Sequence, residues 1–159
     1  MKIVVIGIGQ SLRGDDASGL EAVRHWQVQF PKTAERSELR VILSESPGLT
    51  LLDEVDDCDG GVLVDAVQSF THPGTLHRLD LEQLYSFRPE SKSTHGWGIA
   101  ETLQLGQQLN PTRCKIPIRV IGIEAGQFVF GAGLSREIVE AMPMACKAIQ
   151  DEVEELLNK

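Results

Sequence analysis

Apolar residues in this chain fall into short runs, separated by stretches in which they recur every three or four positions. The first run, Lys2 to Ile8, is almost unbroken and β-branched. It carries no helical period and ends on glycines, so it reads as a strand buried on both faces, as at the centre of a parallel sheet. Gly7 and Gly9 allow a tight turn, and Gln10 to Gly14 is a polar loop. From Asp16 to Gln29, Leu20, Val23, Trp26 and Val28 stand at roughly helical spacing, and Pro31 closes that helix. Leu39 to Leu43 is a second strand. Residues 44–48 are a loop, Leu49 to Val55 a short helix, and Gly61 to Val67 (GVLVDAV) a third apolar strand. Thr71 to Gly74 is a turn, and Thr75 to Leu79 alternates like an edge strand. Leu81 to Phe87 fits a turn or two of helix, and Arg88 to Thr94 is a polar loop leading to His95. Gly96 to Leu109 is a helix stopped by Asn110-Pro111, and Ile116 to Ile123 is the last strand. Ser135 stands at the cap of a final helix reaching about Leu157, which Pro143 is expected to kink or split.

Strands alternating with helices predict an α/β fold of three layers: a mostly parallel sheet of about five strands with helices on both faces. Crossovers should be right-handed. Val4, Val5, Ile6, Leu63, Val64, Val120 and Ile121 are expected at the centre of the core. No repeat, linker or low-complexity segment divides residues 1–159, so one domain is expected. Hydrophobic residues make up 42% of the chain, enough for an ordinary core. The net charge of -8 argues against a nucleic-acid partner, which needs a basic face. The first apolar run is too short for a signal peptide or membrane span, and no other stretch approaches membrane length. Cys58, Cys114 and Cys146 are odd in number, far apart and outside any CxxC pair. That points to the reducing cytoplasm and away from a thiolate metal site.

The candidate chemistry lies where strands end. Gly7 and Gly9 lack the third glycine of a dinucleotide fingerprint, because Leu12 stands there. Gly9 and Gly14 have the gap of a phosphate-binding loop, but Asp15 follows where Lys belongs, and an acid repels phosphate. The loop therefore suits a cation or a proton. Asp15 reads best as a helix cap. Asp65 interrupts a run of Val and Leu, and a buried carboxylate costs several kcal/mol or so unless paired or metal-bound. It should lie near Asp16. His95 could complete the group, and His72 and His77 are equal candidates on residue type. Glu124 ends a strand and can cap the next loop. Two carboxylates and an imidazole suit a divalent metal with positions left open. No serine elbow or HExxH helix is present, which disfavours ordinary serine or zinc peptidase chemistry.

These residues resemble a known family, the nickel–iron hydrogenase maturation endopeptidases. The matching pieces are GIGQSLRGDDASG against the family pattern GxGNxxxxDDGxG, then VLVDAV, STHG and VIGIE, in order across nearly the whole chain. The resemblance implies that Asp16, Asp65 and His95 contact nickel already inserted in the precursor of the hydrogenase large subunit. It implies an enzyme that then removes a C-terminal peptide, with Asp16 and Asp65 catalytic. The nickel comes from the substrate, no tightly bound cofactor of its own is called for, and a cytoplasmic monomer is expected. Gln10 stands where the family usually has Asn, and Ala17-Ser18 replaces the usual Gly after the acids. Gln is the poorer residue for a left-handed loop position, so this loop can be shaped differently. Nickel can position the scissile bond, polarise its carbonyl or acidify a water. Alternatively, Asp16 or Asp65 can serve as general base.

Two other readings compete. A phospho-receiver module also has an acid pair after its first strand and an Asp ending its third. Its last strand is followed by Lys, whereas here Glu124-Ala125-Gly126 follows. The other is a nickel-binding chaperone with the same ligands and no cleavage.

Overall fold

A computed structural model describes residues 1–45, 48–86, 98–112 and 115–159. Strand β1 (Ile3–Ile8) leads through a 3-10 turn (Gly14–Ala17) into helix α1 (Ser18–Gln29), a single-turn α2 (Pro31–Ala34), β2 (Leu39–Ser44) and α3 (Thr50–Val55). Then come β3 (Gly60–Val67), β4 (Leu76–Asp80), α4 (Leu81–Ser86), α5 (Ile99–Leu109), β5 (Ile118–Glu124) and α6 (Arg136–Leu157). The sheet order is β2-β1-β3-β5-β4. Among the described strands only β4, at the edge, is antiparallel, against β5. This is the three-layer, mostly parallel architecture that the alternating pattern predicts.

The β-branched runs are buried because both faces of the sheet are covered. Ile3, Val5, Val62, Val64, Ile121 and Ile123 face α1 and α6, where they meet Val23, Trp26, Ile138, Met142 and Ile149. Val4, Ile6, Ile8, Leu63 and Val120 face the other way, onto Leu51, Leu52, Val55, Ile99 and Leu103. All seven residues expected at the core's centre are buried. Buried Trp26 donates from Nε1 to Gln150 Oε1 at 2.9 Å, so the indole N–H keeps a partner inside the apolar layer.

Several local expectations change. Leu20, Val23 and Trp26 are buried, but Val28 is 83% exposed, since it lies about 200° around the helix from Trp26. Pro31 closes α1 and also opens α2, where its missing N–H costs nothing. The final helix is not split: α6 runs through Pro143, which lies on its exposed side together with Val139, where water can take the bond that the ring removes. Ser135 occupies the cap position, but its side chain makes no capping bond and is used elsewhere.

Two glycines set how the first helix meets the sheet. A Cβ on Gly19 would come within 2.3 Å of the Ile8 carbonyl oxygen and 2.4 Å of that of Val64. A Cβ on Gly9 would lie 2.1 Å from the Asp16 carbonyl oxygen. The start of α1 thus rests directly on the ends of β1 and β3, which any side chain would prevent. Gly19→Ala should lower stability by about 1–3 kcal/mol, the usual cost of overpacking. Its urea midpoint should fall without a change in the slope of the transition.

Candidate active site

The acid pair divides into two roles set by which way each side chain turns. Asp15 is fully buried and makes no cap on its own helix. Its Oδ2 accepts the backbone N–H of Gly126 at 2.8 Å and of Gln127 at 3.0 Å, and the Ser135 hydroxyl at 2.8 Å. Its Oδ1 accepts the Ser135 N–H at 2.6 Å. The carboxylate therefore caps α6, from the far end of the sequence, and meets the positive end of that helix dipole. A structural reading of Asp15 stands, with different donors from those the sequence suggests. The same loop is tied again by Asp15 N–H donating to Gln127 carbonyl and by an antiparallel bridge between Arg13 and Phe130. On its other side, the Ser11 N–H and hydroxyl donate to Glu45, and these bonds hold the Glu45 carboxyl below the usual range.

Asp16, the next residue in that rigid turn, is 0% exposed, and the turn touches β3. Asp65 lies near the carboxyl end of β3 and is 3% exposed. Two packing facts set the backbone on which the acids stand. β1 and β3 are neighbouring parallel strands, and Gly19, three residues after Asp16, packs on the carbonyl of Val64, the residue before Asp65. This is the strand-end position at which open α/β sheets place their sites. Asp65 shares a face with Leu63, the face covered by α3 and α5.

His95 lies outside the described residues, so its relation to the two acids is not part of this geometry. The other candidate histidines are engaged elsewhere. His72 Nδ1 donates to the Pro73 carbonyl at 2.8 Å, and His77 Nε2 donates to Glu124 Oε2 at 3.1 Å. Among the described residues no group of three His, Cys, Asp or Glu is placed to hold a metal ion. Cys146 is buried between α1 and α6, and burial pushes its thiol pKa up, so it offers no ready thiolate.

Glu124 has a larger role than its place in sequence suggests. It is buried at the end of β5 and accepts from Ser69 N–H (2.8 Å), Ser69 hydroxyl (2.8 Å) and Thr71 N–H (3.1 Å), besides His77. It caps a loop, as expected, but the one leaving β3 rather than the one that follows β5. That loop starts three residues after Asp65, where β3 ends, so Glu124 stiffens the segment that follows Asp65.

Among the described residues, no helix is long and apolar enough to cross a membrane. The model of the hydrogenase maturation protease family (HycI) matches residues 29–152, a span that holds Asp65 and begins after Asp16. A Methanocaldococcus jannaschii protein classed as a hydrogenase maturation protease is 28% identical, over 95% of this chain and 96% of its own. The hydrogenase maturating endopeptidase HybD of Escherichia coli superposes with a TM-score of 0.82 at 20% identity, over 98% of this chain and 93% of its own. HybD of Thermococcus kodakarensis, a nickel–iron hydrogenase maturation protease, superposes with a TM-score of 0.76 at 22% identity, over 96% and 99%. At those identities the two structures attest the fold.

Removing the Asp15 carboxylate strands four donors at once, on the loop after β5 and at the start of α6. Asp15→Ala should therefore cost about 2–5 kcal/mol, since each buried bond to a charged group is worth roughly 1.5–3 kcal/mol and the losses overlap. Chemical denaturation of the variant beside the parent protein measures this directly.

Proposed function

This chain belongs to the hydrogenase maturation protease family, and from that membership we propose a nickel-gated cleavage. The family's enzymes are endopeptidases that process the precursor of the hydrogenase large subunit. Here the peptide removed is a C-terminal extension, and the nickel already seated in the precursor is contacted by Asp16, Asp65 and His95. The carrying observation is the burial of Asp16, in a turn pinned by Asp15, and of Asp65, near the carboxyl end of β3. Carboxylates placed there, out of bulk water, are poised to meet a cation or accept a proton. Helix α5, whose first turn begins four residues after His95, packs on the sheet face that carries Asp65, which supports the third position.

Hydrolysis needs a water oxygen to bond to the scissile carbonyl carbon, a base to take the water's proton, and a donor to protonate the leaving amine. A carboxylate of the pair takes the proton and returns it to the amine. The substrate's nickel orients the scissile bond against that carboxylate. Three oxygen and nitrogen ligands without a thiolate make an open site of modest affinity, so the ion is supplied by the precursor rather than kept by the enzyme. Cleavage then acts as a checkpoint, because a precursor without nickel cannot complete the site. The antiparallel edge strand and the family assignment favour this over a phospho-receiver, and the family's protease activity favours it over a chaperone that does not cleave.

Asp16→Asn, Asp65→Asn and His95→Ala should each keep the fold, by circular dichroism, and lower processing by roughly 100-fold or more. Retained processing in Asp65→Asn would count most heavily against the site. A second experiment tests the checkpoint. Nickel-loaded and nickel-free precursors are incubated with the enzyme, beside a chelator that cannot strip buried nickel. Mass spectrometry should show loss of the C-terminal peptide from the loaded precursor alone. Equal cleavage of both would falsify the gate.

A further inference from the structure

Loops leaving β1, β3 and β5 carry large apolar side chains into solvent at the same edge of the sheet as Asp16 and Asp65. Phe70, in the loop after β3, is 70% exposed, and Phe130, in the loop after β5, is 78% exposed. Leu12 and Val129 are also exposed. Soluble surfaces carry single apolar residues without consequence, but these belong to one built structure. Gly131 N–H donates to the Leu12 carbonyl at 2.7 Å, and Arg13 pairs with Phe130, so the loops after β1 and β5 form a two-stranded tongue. The Arg13 guanidinium lies 5.7 Å from the centre of the Phe128 ring. The loop after β3 joins the tongue's base: a Cβ on Gly126 would stand 3.1 Å from the Pro73 ring.

Phe70 is also held in a left-handed conformation, with φ of 63°. That backbone is unfavourable for a bulky residue and persists only where neighbours impose it. The buried Glu124 imposes it here, since it binds the N–H groups of Ser69 and Thr71 on either side. A strained loop, anchored by a buried carboxylate, thus presents an aromatic ring to water, with a second aromatic and an Arg–aromatic pair on the adjoining tongue. Aromatic and Arg anchors on rigid supports are what protein interfaces use.

We propose that Leu12, Phe70, Val129 and Phe130 form a docking ridge for the folded body of the hydrogenase large-subunit precursor. The occupant follows from position: a precursor whose scissile bond reaches Asp16 and Asp65 must lie across the loops that leave the same strand ends. In this respect the inference rests on the site assignment made above. The ridge grips the precursor by its surface, and the strand ends act on its C-terminal segment. Affinity and chemistry are therefore separable in the kinetics.

Phe70→Asn removes the ring and keeps a residue that tolerates left-handed backbone, and Phe130→Ser keeps the pairing with Arg13. The double variant should raise KM for nickel-loaded precursor about tenfold or more, as loss of two interface anchors does, with kcat within about twofold and Tm unchanged. Val28→Ser and Val139→Ser, in a separate apolar groove between α1 and α6, serve as controls and should leave KM as it was. An unchanged KM in the double variant, a fall in kcat alone, or an equal rise in the controls would each overturn the ridge. So would self-association of the parent chain that the double variant abolishes while KM stays constant, because the ridge would then bind a second copy. Titrating precursor onto Asp65→Asn separates the two proposals. If that variant still cleaves, the site assignment fails, while the KM comparison decides the ridge on its own.

Discussion

One buried carboxylate holds the working end of this molecule together. Asp15 receives N–H groups from Gly126, Gln127 and Ser135 and the Ser135 hydroxyl, so the first loop, the loop after the last strand and the start of the last helix converge on it. A charge in that position is tolerable because four donors and a helix N-terminus replace the water it has lost. The arrangement also explains why Ser135 leaves its own helix uncapped by side chain. Its hydroxyl is a donor to Asp15, and Asp15 is the acceptor that the helix end requires.

Adjacent residues in a rigid turn cannot both serve that anchor. With Asp15 turned toward α6, Asp16 is carried onto the ends of β1 and β3, where Gly9 and Gly19 allow backbone to approach backbone. Asp65 enters from β3 by strand register alone. Rigidity of this kind suits a site that must align a carboxylate with a reacting bond, since small misplacements are expensive in rate. Glu124 repeats the device on the other side, where a second buried acid gathers a loop and fixes what that loop presents. Each loop is held from inside the fold by a carboxylate, which leaves its outer surface available for a partner.

Much of this was legible in the chain. Strands buried on two faces need unbroken apolar runs, so β1, β3 and β5 declare themselves, and the sheet's three layers follow from their alternation with helices. Asp65 is legible for a related reason, since an acid near the end of such a run needs a purpose, whereas Asp16 is marked by its loop and by the family pattern that the loop matches. Val28 falls outside the stripe set by Leu20, Val23 and Trp26, and only packing against α6 decides which of these face inward. Pro143 forbids one hydrogen bond but not a helix, provided the lost bond faces water.

Pairings between distant segments were beyond the sequence, because hydrogen-bond donors on the backbone leave no mark on residue identity. Nothing in the letters at positions 126, 127 and 135 announces Asp15, and nothing at positions 69 and 71 announces Glu124. The left-handed Phe70 is likewise a product of tertiary bonds overriding a local preference. The sequence by itself determined the layers, the central strands and the acids at their ends, since burial periodicity and the cost of a buried charge are written residue by residue. The tertiary structure alone decided that Asp15 is the acid that anchors, since that choice depends on where remote backbone N–H groups arrive when the chain closes.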